Sequence, residues 1–170
     1  SDLHALVLWL SAGDLAHAQS LAGAGLPVKA VYLSSSLNAG PRTGLAAGGE
    51  GPVRMVYPQD LPAQRNARLE VVRRWLRGNG IAPGDEKVQM NAYLAATVTG
   101  MVVTHGRDTY SREFLIERTE HRLGTALEPS IYPNLSLGPG QRYASKGSYI
   151  VAVKGPDDRQ LQPLSDWIVP

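Results

Sequence analysis

The chain has 170 residues, 43% of them hydrophobic, and no cysteine. This length and composition fit one globular domain with a sizeable core, and the lack of cysteine excludes disulfides, thiolate chemistry and cysteine zinc sites. The 17 basic and 15 acidic side chains leave a formal charge of +2, which provides no basic surface for nucleic acid. No apolar run is long enough to span a membrane.

Two short apolar runs, with a helical pattern between them, open the chain. Leu3 to Leu10 is nearly unbroken in its apolar character, which is typical of a parallel strand covered on both faces, and Val28 to Leu33 repeats the pattern. Between them, Asp14 to Ala24 has apolar residues at helical spacing, and Gly25 follows as a stop signal. Because this order forms a βαβ unit, we predict that the two strands are adjacent and parallel, with a right-handed crossover.

The rest of the chain predicts a third strand, three helices and a closing strand. Ser34 to Gly51 is rich in Ser, Gly and Ala and is expected to be a loop. The predicted elements that follow it are the strand Val53 to Tyr57, a helix from Pro62 or Ala63 to Arg77, the helices Val88 to Val103 and Ser111 to Leu123, and the strand Ser148 to Val153. In the helix that ends at Arg77 we expect Leu69, Val72, Trp75 and Leu76 to face inward, and Gly78 to Gly80 to end the helix. The helix Val88 to Val103 is expected to be largely buried.

One segment carries a resemblance to a known family. Tyr132 to Val153 reads YPNLSLGPGQRYASKGSYIVAV and resembles the C-terminal signature of a subset of type I periplasmic ligand-binding proteins. That group includes the branched-chain amino-acid binding proteins of ABC transporters. The resemblance implies a Rossmann-like three-layer α/β/α sandwich with a mainly parallel sheet. Residues 1–170 would then form a single α/β domain, corresponding to the C-terminal half of a two-lobe binding protein.

The same resemblance implies a function and partners. The chain is expected to be a solute-binding module of the branched-chain amino-acid type, or a derivative of one. Its partners would be a small-molecule solute and an ABC-transporter permease, its location would be the periplasm, and it would use no cofactor. The alternative is a structural or protein-interaction domain that retains the scaffold without a small-molecule site. Apolar surface on Val88 to Val103 and on the closing strand also predicts a homodimer, an exchange of segments or a rearranged monomeric core.

The candidate ligand-binding residues follow two neighbouring strands. In an open α/β sheet, ligands bind outside the carboxyl ends of the strands. The residues at these two ends are Ser11, Ala12, Gly13 and Asp14 after the first strand and Ser34, Ser35 and Ser36 after the second. Because the first group leads into a helix, its free N–H groups could hold a carboxylate. Asp14 is equally well explained as the N-cap of that helix, and the serines as an ordinary polar loop.

The resemblance also limits which solute is expected. Well-known members of the family place an aromatic residue in the first loop and an acidic residue in the second, where it pairs with the ammonium group of the ligand. The matching positions in this chain are approximately Ser11 and Ser34, which supply neither group. We therefore expect weak binding, or none, of leucine, isoleucine and valine, since a buried ammonium group would be poorly compensated.

No catalytic pattern is found in the sequence. Glu117 and His121 have the i, i+4 spacing of a metal pair, but no second histidine is spaced to complete a site. No G-x-S-x-G stretch occurs, and the glycine-rich Gly44 to Gly51 lacks the phosphate-loop patterns. Arg142 could bind a carboxylate or support the Gly138 to Gly140 turn, and both alternatives stay open. No catalytic or metal-binding residues are expected.

Overall fold

The structure is a computed structural model that describes residues 4–9, 14, 29–35, 53–104, 110–125, 129–138, 140–141, 143–153 and 161–169. The chain divides into two compact units. The sheet unit comprises Ser1–Pro62 and Gly147–Pro170, and the helical unit comprises Ala63–Lys146. The predicted helix over Asp14 to Ala24, apart from Asp14 itself, and most of the predicted loop over Ser34 to Gly51 lie outside the described residues. The expectation of one domain over residues 1–170 stays a prediction.

The sheet unit is built on five strands in the order β1-β2-β3-β4-β5. Their bounds are β1 Ala5–Leu8, β2 Ala30–Ser34, β3 Val53–Tyr57, β4 Tyr149–Val153 and β5 Leu161–Pro163. Strands β1 and β2 are adjacent and parallel, with Leu8 opposite Leu33. This confirms the predicted pairing, although β1 is shorter than the apolar run that predicted it.

The sheet is mixed, but four of its five strands run in one direction. Strand β3 is parallel to β2, β4 is antiparallel to β3, and β5 is antiparallel to β4, so β5 runs the same way as β1 to β3. A mainly parallel sheet was predicted, and the observed α/β fold agrees with that prediction. As a result, the carboxyl ends of β1, β2, β3 and β5 and the amino end of β4 lie at the same edge.

The core of the sheet unit lies on one face of these strands. Leu33, Met55, Tyr57 and Val151 are buried together on that face, and Tyr149 packs against them. Their alternation with more exposed residues along β3 follows from the two-residue period of a strand. Tyr57, which is 5% exposed, therefore belongs to the core.

Three helices form most of the helical unit. They are α1 Pro62–Gly78, α2 Glu86–Thr104 and α3 Arg112–Thr125. Helix α2 begins after Asp85, whose carboxylate accepts a hydrogen bond from the Val88 amide at 3.0 Å. Helix α3 begins after Ser111, whose hydroxyl accepts one from the Phe114 amide at 3.1 Å. Both residues are N-caps, because each satisfies an amide that has no partner within its helix.

Helix α1 ends as its glycines predict. Gly80 has a positive φ of 68°, and its amide donates to the Arg77 carbonyl at 3.1 Å. The Ile81 amide donates to the Leu76 carbonyl at 2.9 Å. These two bonds define a Schellman motif, in which a left-handed residue reverses the chain and satisfies the last helical carbonyls.

The core of the helical unit corrects one prediction about α1. Its buried cluster contains Leu69, Val72 and Leu76 from α1, Met90 from α2, and Ile131. Trp75 was expected to face inward, but it is 47% exposed. Its ring packs edge-on against Tyr93, with 5.2 Å between the ring centroids. The prediction was wrong because Trp75 lies beside the line of buried residues on the helix, where only one side of its ring is covered.

Helix α2 is only partly buried, which corrects the expectation of a largely buried helix. Met90, Val98 and Val102 are buried, while the side facing away from them is exposed along the whole helix. Apolar composition predicted burial, but in this structure the helical unit covers one side only. Within the part of the chain that the structure describes, no helix combines the length and apolar character needed to cross a membrane.

One ion pair joins α1 to α2, and another lies within α1. The Arg73 guanidinium donates to the Glu86 carboxylate, and Arg77 donates to Glu70 at 2.7 Å. The hydrogen bond from Arg77 is the main cause that lowers the pKa of the Glu70 carboxyl. The Arg77–Glu70 pair is exposed, and exposed ion pairs contribute little stability.

Candidate functional site

The candidate site lies where the parallel strands end, at an edge that we call the carboxyl edge. Strand β1 ends at Leu8, β2 at Ser34 and β3 at Tyr57. The strand pairs place Leu8 opposite Leu33 and Ser34 opposite Val56, so the three ends are neighbours. In α/β sheets this edge exposes loops and backbone groups that can bind a ligand.

The structure describes three of the seven predicted site residues. Ser34 is the last residue of β2, and Ser35 follows it; both are partly buried. Asp14 is exposed. Ser11, Ala12, Gly13 and Ser36 lie outside the described residues. The pairing of β1 with β2 brings the residues that follow these two strands to one edge, but the seven residues as a ligand site stay a prediction.

Sequence reasoning missed one aromatic side chain at this edge. Trp9 follows directly after β1 and is 94% exposed. It was assigned to the interior of a strand because the apolar run continues from Leu3 to Leu10, whereas β1 ends at Leu8. An exposed indole is costly to leave in water, and at a strand end it offers a flat surface to an apolar or aromatic solute. A signal for it existed in the sequence, because Trp9 stands two residues before Ser11, the first of the predicted site residues.

A second aromatic group belongs to the same edge, on β4 and the chain that follows β5. Tyr149, the first residue of β4, lies opposite Tyr57. Its ring packs edge-on against Trp167 at 5.0 Å between centroids. Ser148 and Ile168 exchange two backbone hydrogen bonds, of 2.9 and 3.0 Å. These contacts fix the antiparallel return of the chain beside β4.

Gly147 makes that return sterically feasible. Its φ is +99°, a conformation that residues with a side chain rarely adopt. A Cβ atom at this position would overlap the Ile168 carbonyl oxygen and would lie 2.9 Å from Trp167 Nε1. The close approach of the two segments therefore requires a glycine here.

Two further polar groups near the carboxyl edge do not face an open site. Asp60 follows β3 by three residues and is completely buried, so its carboxylate is out of reach of a solute. Tyr32, in the middle of β2, accepts a hydrogen bond from Arg54 Nη1 at 3.1 Å, and the guanidinium lies 5.8 Å from the centre of its ring. Tyr32 thus holds Arg54 across the strands.

The structure shows no arrangement for metal binding among the residues it describes. Glu117 and His121 lie on α3 and are both exposed. No group of three or more His, Asp or Glu side chains in the described part of the chain is arranged to hold a metal ion.

Comparison with known proteins gives a fold and no family. No protein-family profile matches the chain, and no curated protein matches it. A solved structure does: the crystal structure of "a putative branched-chain amino acid ABC transporter from Rhodospirillum rubrum", with a TM-score of 0.62 and 19% sequence identity. The chain has a periplasmic-binding-protein-like α/β fold.

The match extends over nearly all of this chain but over less than half of the other protein. It covers 95% of this chain but 44% of the Rhodospirillum rubrum chain. The chain therefore spans less than half the length of that protein, which agrees with the predicted resemblance to a C-terminal portion. At 19% identity the likeness concerns the fold, and the solute has to be argued from the residues at the carboxyl edge.

Proposed function

We propose that the chain is a solute-binding module of, or derived from, an ABC-transporter substrate-binding protein. The observation that supports this most is the likeness of fold, over 95% of the chain, to a protein described as a branched-chain amino acid ABC transporter. A periplasmic location, a permease partner and one α/β domain over residues 1–170 belong to the same proposal. The solute would bind at the carboxyl edge, where the three parallel strands end.

The side chains at this edge favour a carboxylate without an ammonium group. Ser34 and Ser35 offer hydroxyl and backbone hydrogen bonds but no negative charge. The exposed ring of Trp9 offers apolar contact. An α-ammonium group entering beside Ser34 would lose water without gaining a carboxylate partner there, which disfavours an amino acid. We therefore propose that an apolar oxo or hydroxy acid binds more tightly than the amino acid of the same shape.

Two matched solutes test this proposal. Leucine and 4-methyl-2-oxopentanoate have the same carbon skeleton, and the second has a carbonyl in place of the ammonium group. Each would be titrated into the ¹⁵N-labelled chain while backbone amide and indole NMR signals are followed. Because one sheet edge encloses only part of a solute, whereas pockets usually enclose most of one, we expect Kd values of roughly 1 mM or weaker.

The expected result is local and selective. The oxo acid should shift the Trp9 indole signal and the Ser34 and Ser35 amides, and leucine should shift them less at the same concentration. Trp75 provides an internal control, since it is partly exposed but lies in the helical unit. Equal shifts with leucine would contradict the selectivity and would indicate that Asp14 or another carboxylate pairs with the ammonium group. No shift at the carboxyl edge with either solute would contradict the site.

One observation favours the alternative of a protein-interaction domain. Helix α2 carries an exposed, uncharged side that a solute at the carboxyl edge does not explain. The lack of charge on this side of α2 indicates which kind of partner it would bind.

A further inference from the structure

The exposed side of α2 lacks charge from Val88 to the end of the helix, after the charged Glu86 and Lys87 of its first turn. From Val88 to Thr104 the chain contains no Asp, Glu, Lys, Arg or His. Six exposed residues form a continuous line on this side, which we call the α2 stripe: Val88, Ala92, Ala95, Ala96, Thr99 and Val103. The two valines at its ends are 64% and 44% exposed. A solvated helix face normally carries charges, so an uncharged line about 22 Å long indicates a contact surface.

The α2 stripe is symmetric about its own centre. Val88 and Val103 are equally distant from the midpoint between Ala95 and Ala96, and so are Ala92 and Thr99. The bulkier residues therefore lie at both ends and the smaller ones lie in the middle. Reversing the direction of the helix leaves nearly the same pattern of side-chain sizes.

This symmetry is what a two-fold interface between identical chains requires. In such an interface one surface patch must complement itself. If two α2 helices cross antiparallel at their centres, Val88 of one copy lies level with Val103 of the other, and Ala92 lies level with Thr99. Small residues at the crossing let the two backbones approach closely. The antiparallel orientation also brings opposite ends of the two helix dipoles together.

Charge distinguishes α2 from the other two helices. Helix α1 carries five arginines and a single glutamate, and α3 carries both signs of charge along its length. A second copy meeting α1 with α1 would bring like charges together. The α2 stripe can meet itself without that repulsion.

We propose that the α2 stripe binds the α2 stripe of a second copy of this chain, around a two-fold axis beside Ala95 and Ala96. This goes beyond solute binding and does not depend on it, because the stripe lies in the helical unit and the carboxyl edge lies in the sheet unit. The resulting dimer covers an apolar face that the described part of the chain leaves in water.

Opposite charges placed at one position test the axis directly. In a two-fold pair, position 96 of one copy lies close to position 96 of the other. Ala96→Glu and Ala96→Lys should therefore each weaken the dimer about 100-fold, because like charges meet. An equimolar mixture of the two variants should form a 1:1 heterodimer, because opposite charges then meet. Sedimentation equilibrium of the 170-residue chain, and native mass spectrometry of the mixture, measure both effects.

Matched controls separate association from folding. Ala67→Glu and Ala67→Lys place the same charges at an exposed alanine of α1, outside the stripe, and should leave the dimer unchanged. Circular dichroism should show the same helix content in all four variants. Amide hydrogen exchange of the unmodified chain should show slower exchange in α2 at high than at low protein concentration.

Three results would overturn the proposal. The first is an unmodified chain that stays monomeric at about 100 μM, a concentration at which even modest dimers assemble; a different partner, such as the remainder of a two-lobe protein, would then cover the stripe. The second is a dimer that Ala96→Glu does not weaken, which would locate the interface elsewhere. The third is a mixture that fails to form the heterodimer although both variants fold, which would exclude the two-fold axis.

Discussion

Gly147→Ala should be the most destabilising single methyl addition among the three described glycines of positive φ. Two costs combine at this position. A left-handed backbone with a side chain costs about 1–2 kcal/mol. Adding a methyl group to a packed site costs a further 1–3 kcal/mol or so. The new Cβ would overlap the Ile168 carbonyl oxygen, which is backbone and cannot rotate away. We expect a loss of about 3 kcal/mol in the free energy of unfolding.

Gly140→Ala isolates the conformational part of that cost. Gly140 has a φ of 77°, but a Cβ atom there meets nothing within 4 Å. This variant should therefore lose only about 1–2 kcal/mol. The difference between the two variants, about 2 kcal/mol, measures the close approach of Gly147 to Ile168.

Urea unfolding followed by circular dichroism and tryptophan fluorescence gives both values. In a chain of this length each kcal/mol lowers the melting temperature by about 2–4 °C, so Gly147→Ala should melt roughly 6–12 °C lower. The Trp167 indole signal should also move in Gly147→Ala and stay in place in Gly140→Ala. Equal losses in the two variants would refute the steric argument, because they would show that the chain after β5 relaxes away from the new methyl group.

Changes at four further positions test the helix ends and an ion pair. Gly80→Ala should lower the free energy of unfolding by about 1 kcal/mol, because the φ of 68° at Gly80 closes the Schellman motif. Gly78→Ala should raise it by up to about 1 kcal/mol, because the new methyl group meets open space at the end of the helix. Thermal melts compare the two variants. Asp85→Ala should cost about 1 kcal/mol through loss of the α2 N-cap, measured in urea, and Asp85→Asn should restore most of it. The pKa of Glu70 is lowered from 4.5, chiefly by Arg77, so its small contribution is present above that pH and is lost as the carboxylate protonates below it. The difference in urea midpoint between the unmodified chain and Glu70→Gln should therefore shrink between pH 6 and about pH 3, and a difference that grows towards acid pH would contradict the sign.

Much of the fold could be predicted because local chemistry determines it. Strand β3 has the predicted bounds of Val53 and Tyr57, since alternating apolar residues begin it and Pro58 ends its hydrogen bonding. Gly80 marks the end of α1 for a similar reason, because glycine adopts the left-handed conformation at little cost. The parallel pairing of β1 with β2 followed from the crossover rule. These features depend on residues that are close together along the chain.

Other features depend on residues that are far apart in the sequence, and local patterns do not contain them. The pairing of Tyr57 with Tyr149 joins segments separated by the entire helical unit. Trp75 was assigned inward because helical periodicity identifies the apolar side of α1. It does not show how much of that side is covered by neighbouring elements. Trp9 was missed because an apolar run does not reveal where the strand stops pairing. In each case the deciding contact comes from a distant part of the chain.

The site illustrates the same division between scaffold and chemistry. The fold predicts the edge at which a solute would bind, because ligands of open α/β sheets lie outside the carboxyl ends of the strands. It does not fix the solute, which is selected by the few side chains that reach the edge. In this chain the described side chains at that edge include Ser34, Ser35 and Trp9. A site that recognises an ammonium group needs a carboxylate to replace the lost water, and hydroxyl groups replace it poorly. The fold thus supports the proposed solute-binding module, while Ser34 and Ser35 support the proposal that its solute carries no ammonium group.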